Sequence, residues 1–194
     1  MMIFNDYVKL ATRTESTAKD LNDLNLRLLH AALGMATEII ELEEDFFKVK
    51  YKNFALDHIN VKIECGDVFW YIAIAADVLN LNITEIFKNP QYRLEISTTP
   101  PYHSEMVKIE VGNFLDIIKR HIFYRKLYNI DKIKEILTNI TIEMCKLVYS
   151  LNFDLDDVLE KNISKLRSRY PDKYSDILAI ERDSETERKL FSGE

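Results

Sequence analysis

The chain has 194 residues, 47% of them hydrophobic, enough for one real core and a better fit to one domain or two small similar halves than to several unrelated ones. Its 26 basic and 32 acidic residues leave a net charge of −6, and the basic residues are dispersed, which argues against a general nucleic-acid binder and means that a phosphorylated ligand needs metal ions. Only Cys65 and Cys145 occur, far apart and outside any C-x-x-C or Cys/His pattern, so neither a disulfide framework nor a zinc site is expected.

Met1 to Leu10 lacks the basic start and apolar run of a secretory signal, and the expected location is the cytoplasm. Four glycines, four prolines and apolar positions at helical spacing almost throughout predict an all-α helical bundle. The spacing predicts a helix over Leu21 to Lys48, with Gly34 as a kink or close-packing point, a loop over Tyr51 to Asp57, and a second helix from His58 to Leu79. Val68 to Ala76 within it is the longest apolar run, about half of the roughly 18 residues a membrane span needs, so it reads as a buried helix and no membrane partner is expected. Asn80 to Phe87 reads as a short capped turn and helix, with Asn82 and Glu85 in capping-box spacing. Lys88 to Ser104, with Pro90, Pro100, Pro101 and the run Ser97-Thr98-Thr99, is the best internal linker. Helical patterning resumes over Glu105 to Tyr124, Asp131 to Ser150 and Leu155 to Arg169, and Pro171 ends it. The tail beyond, with Glu181-Arg182-Asp183 and Glu185 to Lys189, reads as a surface helix or a mobile end.

The segment Leu79-Asn-Leu-Asn-Ile-Thr-Glu-Ile-Phe87 matches Leu151-Asn-Phe-Asp-Leu-Asp-Asp-Val-Leu159 position by position. Extended backwards, that register places Glu64 over Ile136 and Asp67 over Asn139. On the preceding helix a slightly longer offset puts Glu38 over Asn113 and Glu41 over Asp116, with the difference between the two offsets assigned to the interhelical loop. The pattern reads as a tandem duplication: a first repeat over residues 1–87, a linker over 88–104, a degenerate second repeat over 105–170 and a tail over 171–194.

Glu38 and Glu41 lie three apart on one helical face, and Glu64 and Asp67 repeat that spacing on the next helix. If the two helices pack antiparallel, four carboxylates converge, and their repulsion calls for hard cations; oxygen-only ligands suit Mg²⁺, with Mn²⁺ as the substitute. A single E-x-x-E on a helix is usually a solvated face, and Glu43, Glu44 and Asp45 read that way. Glu64 and Asp67 differ because they open the all-apolar run from Val68, where a carboxylate is partly desolvated. Lys48 and Lys50 could reach phosphates, although a place near a helix C-terminus explains them equally well. Trp70 or Tyr71 could stack on a base, although aromatics in an apolar run read more readily as core. A di-iron bundle is excluded, since no histidine follows a glutamate at the i+3 spacing such sites use.

Leu29-His-Ala-Ala-Leu-Gly-Met-Ala-Thr-Glu-Ile-Ile-Glu41, followed on the next helix by Glu64-Cys-Gly-Asp-Val-Phe-Trp-Tyr71, resembles the MazG-like all-α nucleoside triphosphate pyrophosphohydrolases, with departures at Thr37 and Cys65. Asn162-Ile-Ser-Lys-Leu-Arg-Ser-Arg-Tyr-Pro171 resembles a second segment of that family. The resemblance implies Mg²⁺-dependent cleavage of a nucleoside triphosphate to the monophosphate and pyrophosphate. Glu38, Glu41, Glu64 and Asp67 would hold the metal, and Glu38 or Glu41 would take the proton of the attacking water. Asn162, Lys165 and Arg169, on one helical face, would meet the nucleotide, donated by the second repeat to a single site in the first. The competing expectation is a catalytically weak or inactive helical protein that binds a nucleotide or partner. Monomer and homodimer both fit a chain whose repeats pair internally.

Overall fold

The computed structural model describes residues 3–16, 24–94, 98–180 and 184–192, and among them the chain is all α-helix, with no strand. The helices are α1 (Ile3–Thr12), α2 (Leu24–Lys52), α3 (His58–Leu79), α4 (Thr84–Lys88), α5 (Gln91–Leu94), α6 (Pro100–Tyr124), α7 (Ile130–Ser150), α8 (Leu155–Arg169), α9 (Asp176–Ile180) and α10 (Ser184–Ser192). Two hairpins, α2–α3 and α6–α7, dominate, and they pack face to face, α2 against α6 and α3 against α7. Asn25 meets Tyr128 at one end of the α2–α6 pair and Glu43 meets Ser104 at the other, so these two helices run antiparallel. One continuous apolar core results, in which Phe69 and Ile72 of the first hairpin join Phe114 and Ile140 of the second. α3 sits at its centre: every residue from Ile72 to Ala76 is buried, as an all-apolar run requires. No helix among the described residues is long and apolar enough to cross a membrane.

Matched local chemistry closes the two hairpins. α2 and α6 both stop at a residue in the left-handed region, Asn53 (φ 55°) and Arg125 (φ 54°), and each following N–H reaches back to the helix, Phe54 to the Lys48 carbonyl and Lys126 to the Arg120 carbonyl. The second helices start behind Asp57 and Asn129, whose side chains accept hydrogen bonds from backbone N–H groups of the first turn. Asn80 (φ 48°) and Asn152 (φ 58°) make the turns beyond. Asn53 to Arg125, Asp57 to Asn129 and Asn80 to Asn152 are equal steps along the chain, the same step as Leu79 to Leu151, so the interhelical loops contain no length difference. Carried back along the first helices, that same step takes Glu38 to Glu110 and Glu41 to Asn113, whereas the longer offset in the sequence takes them to Asn113 and Asp116; both take Glu64 to Ile136 and Asp67 to Asn139.

Beyond their second helices the hairpins diverge. α4 is a five-residue helix against α7, whereas α8, its counterpart, runs 15 residues across α3. α3 and α8 approach closely at Gly66, where an added Cβ would lie 3.0 Å from the Cβ of Asn162. α1, which sequence patterning did not single out, packs on α3 and α8 through the buried Phe4, Tyr7 and Ala11.

Three local features differ from expectation. α2 continues to Lys52, shortening the loop. Asn82 accepts from the N–H of Thr84, while Glu85 faces Lys88 instead of closing a capping box. α5 interrupts the expected linker, and α6 begins at Pro100, because prolines in a first helical turn sacrifice no hydrogen bond. Of the two alternatives for the tail, α10 is the surface helix: most of it is exposed, and buried Glu187 and Phe191 hold it against α3 and α8. Ser97, expected in the linker, and Glu181-Arg182-Asp183, expected in the tail, lie outside the described residues.

Candidate metal centre

α2 and α3 form an antiparallel hairpin, so residues late in α2 face residues early in α3. That geometry brings ligand oxygens of Glu38, Glu41 and Glu64 within 4.8 Å of one another. Glu64 is 7% exposed, Glu38 half-buried and Glu41 exposed, which grades the cluster from core to solvent. Burial, followed by the charges of Asp67 and Glu41, pushes the Glu38 carboxyl up to about 7. Burial, followed by Asp67, Glu38 and Glu41, pushes Glu64 up to about 8. A hydrogen bond between the Glu38 and Glu64 carboxyls favours the proton on Glu64. Carboxyls that share protons because their charges repel are the donor set a hard divalent cation relieves. The three glutamates fit such an ion on that chemistry.

Asp67, the fourth expected ligand, stands apart from this group. It lines the same cavity, but the ammonium of buried Lys165 bonds to both its oxygens, and the amide of Asn162 donates to Oδ1 at 3.0 Å. Asn162 in turn accepts from the hydroxyl of Tyr7 at 2.9 Å, and Tyr7 and Asn162 are both fully buried. Asp67 therefore anchors α8 to α3 beside the glutamates, and the charge of Lys165 is balanced within the protein. Lys48 does not line the cavity; it pairs with Asp45, which also accepts from Asn60. Asp45 is correspondingly buried, where a solvated face was expected. Thr37 is exposed and donates to the Gly34 carbonyl.

The cavity above the glutamates has a volume of about 310 Å³, the lower end of the range for small-molecule sites. Glu38, Glu41, Glu64 and Asp67 line one part of it, and Arg169 contributes a cation. The remaining wall is aromatic and hydroxyl-bearing: His30, Trp70, Tyr71, Tyr170, Tyr174, with Thr14 and Ser16. Trp70 and Tyr71, expected as core, are only half-buried here, and they meet edge to face at 4.7 Å. Gly34 is what admits the Tyr71 ring, since a Cβ there would sit 2.1 Å from it. The indole N–H of Trp70 donates to the Ala11 carbonyl at 2.9 Å, and His30 packs edge to face on both rings. Burial holds the His30 imidazole below its ordinary value, and its buried Nδ1 has no hydrogen-bond partner. That nitrogen lies beneath the cavity surface, so it is the ring's other atoms that contribute to the wall. Arg13 clasps the Tyr170 and Pro171 carbonyls and fixes the wall carrying Tyr170 and Tyr174. His30, Tyr170 and Tyr174 were missed from sequence, although His30 lies two turns before Glu38 on the same helix.

Fold and site together define an all-α helical bundle with a tri-glutamate cluster able to hold a divalent metal. Comparison with models of known protein families, with curated proteins and with solved structures finds no match.

Proposed function

We propose that the protein is a MazG-like, Mg²⁺-dependent nucleoside triphosphate pyrophosphohydrolase, cleaving between the α and β phosphates, with Mn²⁺ able to replace Mg²⁺. The observation carrying this reading is the juxtaposition, in one cavity, of the Glu38–Glu41–Glu64 cluster with an aromatic wall of Trp70, Tyr71, Tyr170 and Tyr174. A nucleotide has matching halves: an anionic phosphate chain and a flat base with hydrogen-bonding edges. A divalent cation held by the three glutamates supplies Lewis-acid neutralisation of phosphate charge.

The chain's own residues supply the rest. Glu41, the most exposed of the three, is reachable by a water and serves as proton acceptor; Glu38 is the other candidate, held more often protonated. The Lys165–Asp67–Asn162 assembly keeps α8 in place, which sets Arg169 at the cavity for the phosphate chain. Trp70 and Tyr71 wall the base end and limit water there. The constant spacing between matching caps of the two hairpins supports a tandem duplication in which only the first half retains the acidic set. One active site per chain follows.

The neutralised Asp67 favours one alternative, a weak or inactive nucleotide-binding protein, because it leaves three carboxylates instead of four for metal. A pyrophosphate-release assay over ribo- and deoxynucleoside triphosphates with Mg²⁺ separates the two. Release of pyrophosphate and nucleoside monophosphate is expected, with turnover lost in Glu41→Gln. Folded, metal-loaded protein that turns over none of them would remove the hydrolase reading.

A further inference from the structure

Lys165 is paired with Asp67, Lys48 with Asp45 and Arg169 with Glu187, but of these three cations only Arg169 lines the cavity, and its partner lies outside the lining. Its Nε and Nη2 donate to Oε1 and Oε2 of Glu187 at 2.6 and 2.7 Å, a two-pronged contact that fixes the guanidinium plane. Glu187 comes from α10 and is 5% exposed. Glu185, Thr186 and Lys189 of α10 are exposed, and Phe191, one turn on from Glu187, is another buried anchor. Arg188 to Asp57 and the Lys161 ammonium to the Phe191 carbonyl add to its attachment.

A carboxylate is an expensive way to fasten a short helix. Desolvating an ion pair commonly offsets its attraction, and an apolar residue beside Phe191 would attach α10 as firmly. What an apolar residue does not supply is a fixed guanidinium. Glu187 takes two of the five N–H donors an arginine carries, and the remaining three can serve an acceptor in the cavity. An arginine ordered before the ligand arrives loses less side-chain entropy on binding.

We propose that Glu187 is a positioning residue: it holds Arg169 at the cavity wall for a polyphosphate chain, so that the C-terminal helix sets phosphate affinity. This rests on the reading of the cavity as a nucleotide phosphate site, but not on turnover.

The test is calorimetric titration of inorganic tripolyphosphate, with Mg²⁺, into the full chain as wild type, Glu187→Gln, Arg169→Met and the double variant. The expected result is about tenfold weaker binding in E187Q, at least as much loss in R169M, and no further loss in the double variant, since Glu187 acts through Arg169. Should E187Q fail to fold, Glu187→Asp, which keeps the charge but shortens its reach, carries the same expectation. Unchanged or tighter binding, an equal loss in the R169M background, or no binding by wild type overturns the proposal. The expected pattern in a chain that hydrolyses no nucleotide would remove the hydrolase reading and leave this one standing; turnover with unaltered E187Q binding would do the reverse.

Discussion

Glu64→Gln should make the metal-free protein more stable at alkaline pH while removing its response to metal. The Glu64 carboxyl rises from 4.5 to about 8 on folding. At about 1.4 kcal/mol per tenfold change, keeping it ionised in the folded chain costs up to about 5 kcal/mol. Because the proton is shared with Glu38 and a glutamine retains only part of the hydrogen bonding, a net gain of about 2–3 kcal/mol at pH 8.5 is the working figure. A folded-state value above the unfolded one means that the folded chain binds more protons between the two. Stability is therefore at its full value below about pH 4.5 and is lost as pH rises through about 8. Urea melts in EDTA at pH 5.5, 7 and 8.5 read this directly: wild type declines over the series and E64Q stays flatter and higher at the top. Millimolar Mg²⁺ should restore wild type at pH 8.5 by mass action and leave E64Q unmoved. An E64Q variant that is less stable than wild type at pH 8.5 without metal, or one with the same pH slope, would refute this reasoning.

Lys165→Met leaves Asp67 partly buried without its cation and should destabilise by about 3–5 kcal/mol, whereas adding Asp67→Asn should recover most of that loss in chemical denaturation. Gly34→Ala drives a methyl into the Tyr71 ring, so a loss of about 1–3 kcal/mol in thermal melts should accompany altered nucleotide affinity; an unaltered melt would mean that the ring yields freely.

The sequence carried the parts of this protein that repeat locally. Helical periodicity gave the helices of the two hairpins, and i,i+3 spacing put Glu38 with Glu41 and placed Glu64 at the mouth of the buried run. What it did not carry depends on contacts across the chain. Lys165 and Asp67 are separated by 98 residues, so nothing near Asp67 signalled that its charge is already balanced. Trp70 and Tyr71 sit in an apolar run and read as core, yet both are half-buried and line the cavity. Glu187 lay in a charged tail with no periodic cue, and its role depends on α10 folding back onto α8. The register of the two hairpins was legible only from their loops, where left-handed residues and caps recur.

The most direct test of the metal centre is a Mn²⁺ titration at pH 8.5, followed by electron paramagnetic resonance, on wild type, Glu38→Gln, Glu64→Gln and Glu110→Gln, the last being the matching position of the second hairpin. Saturable binding by wild type and E110Q, with affinity lost in E38Q and E64Q, is the expected result. No saturable Mn²⁺ binding by wild type, or equal affinity in all four proteins, would contradict a metal site built from Glu38, Glu41 and Glu64.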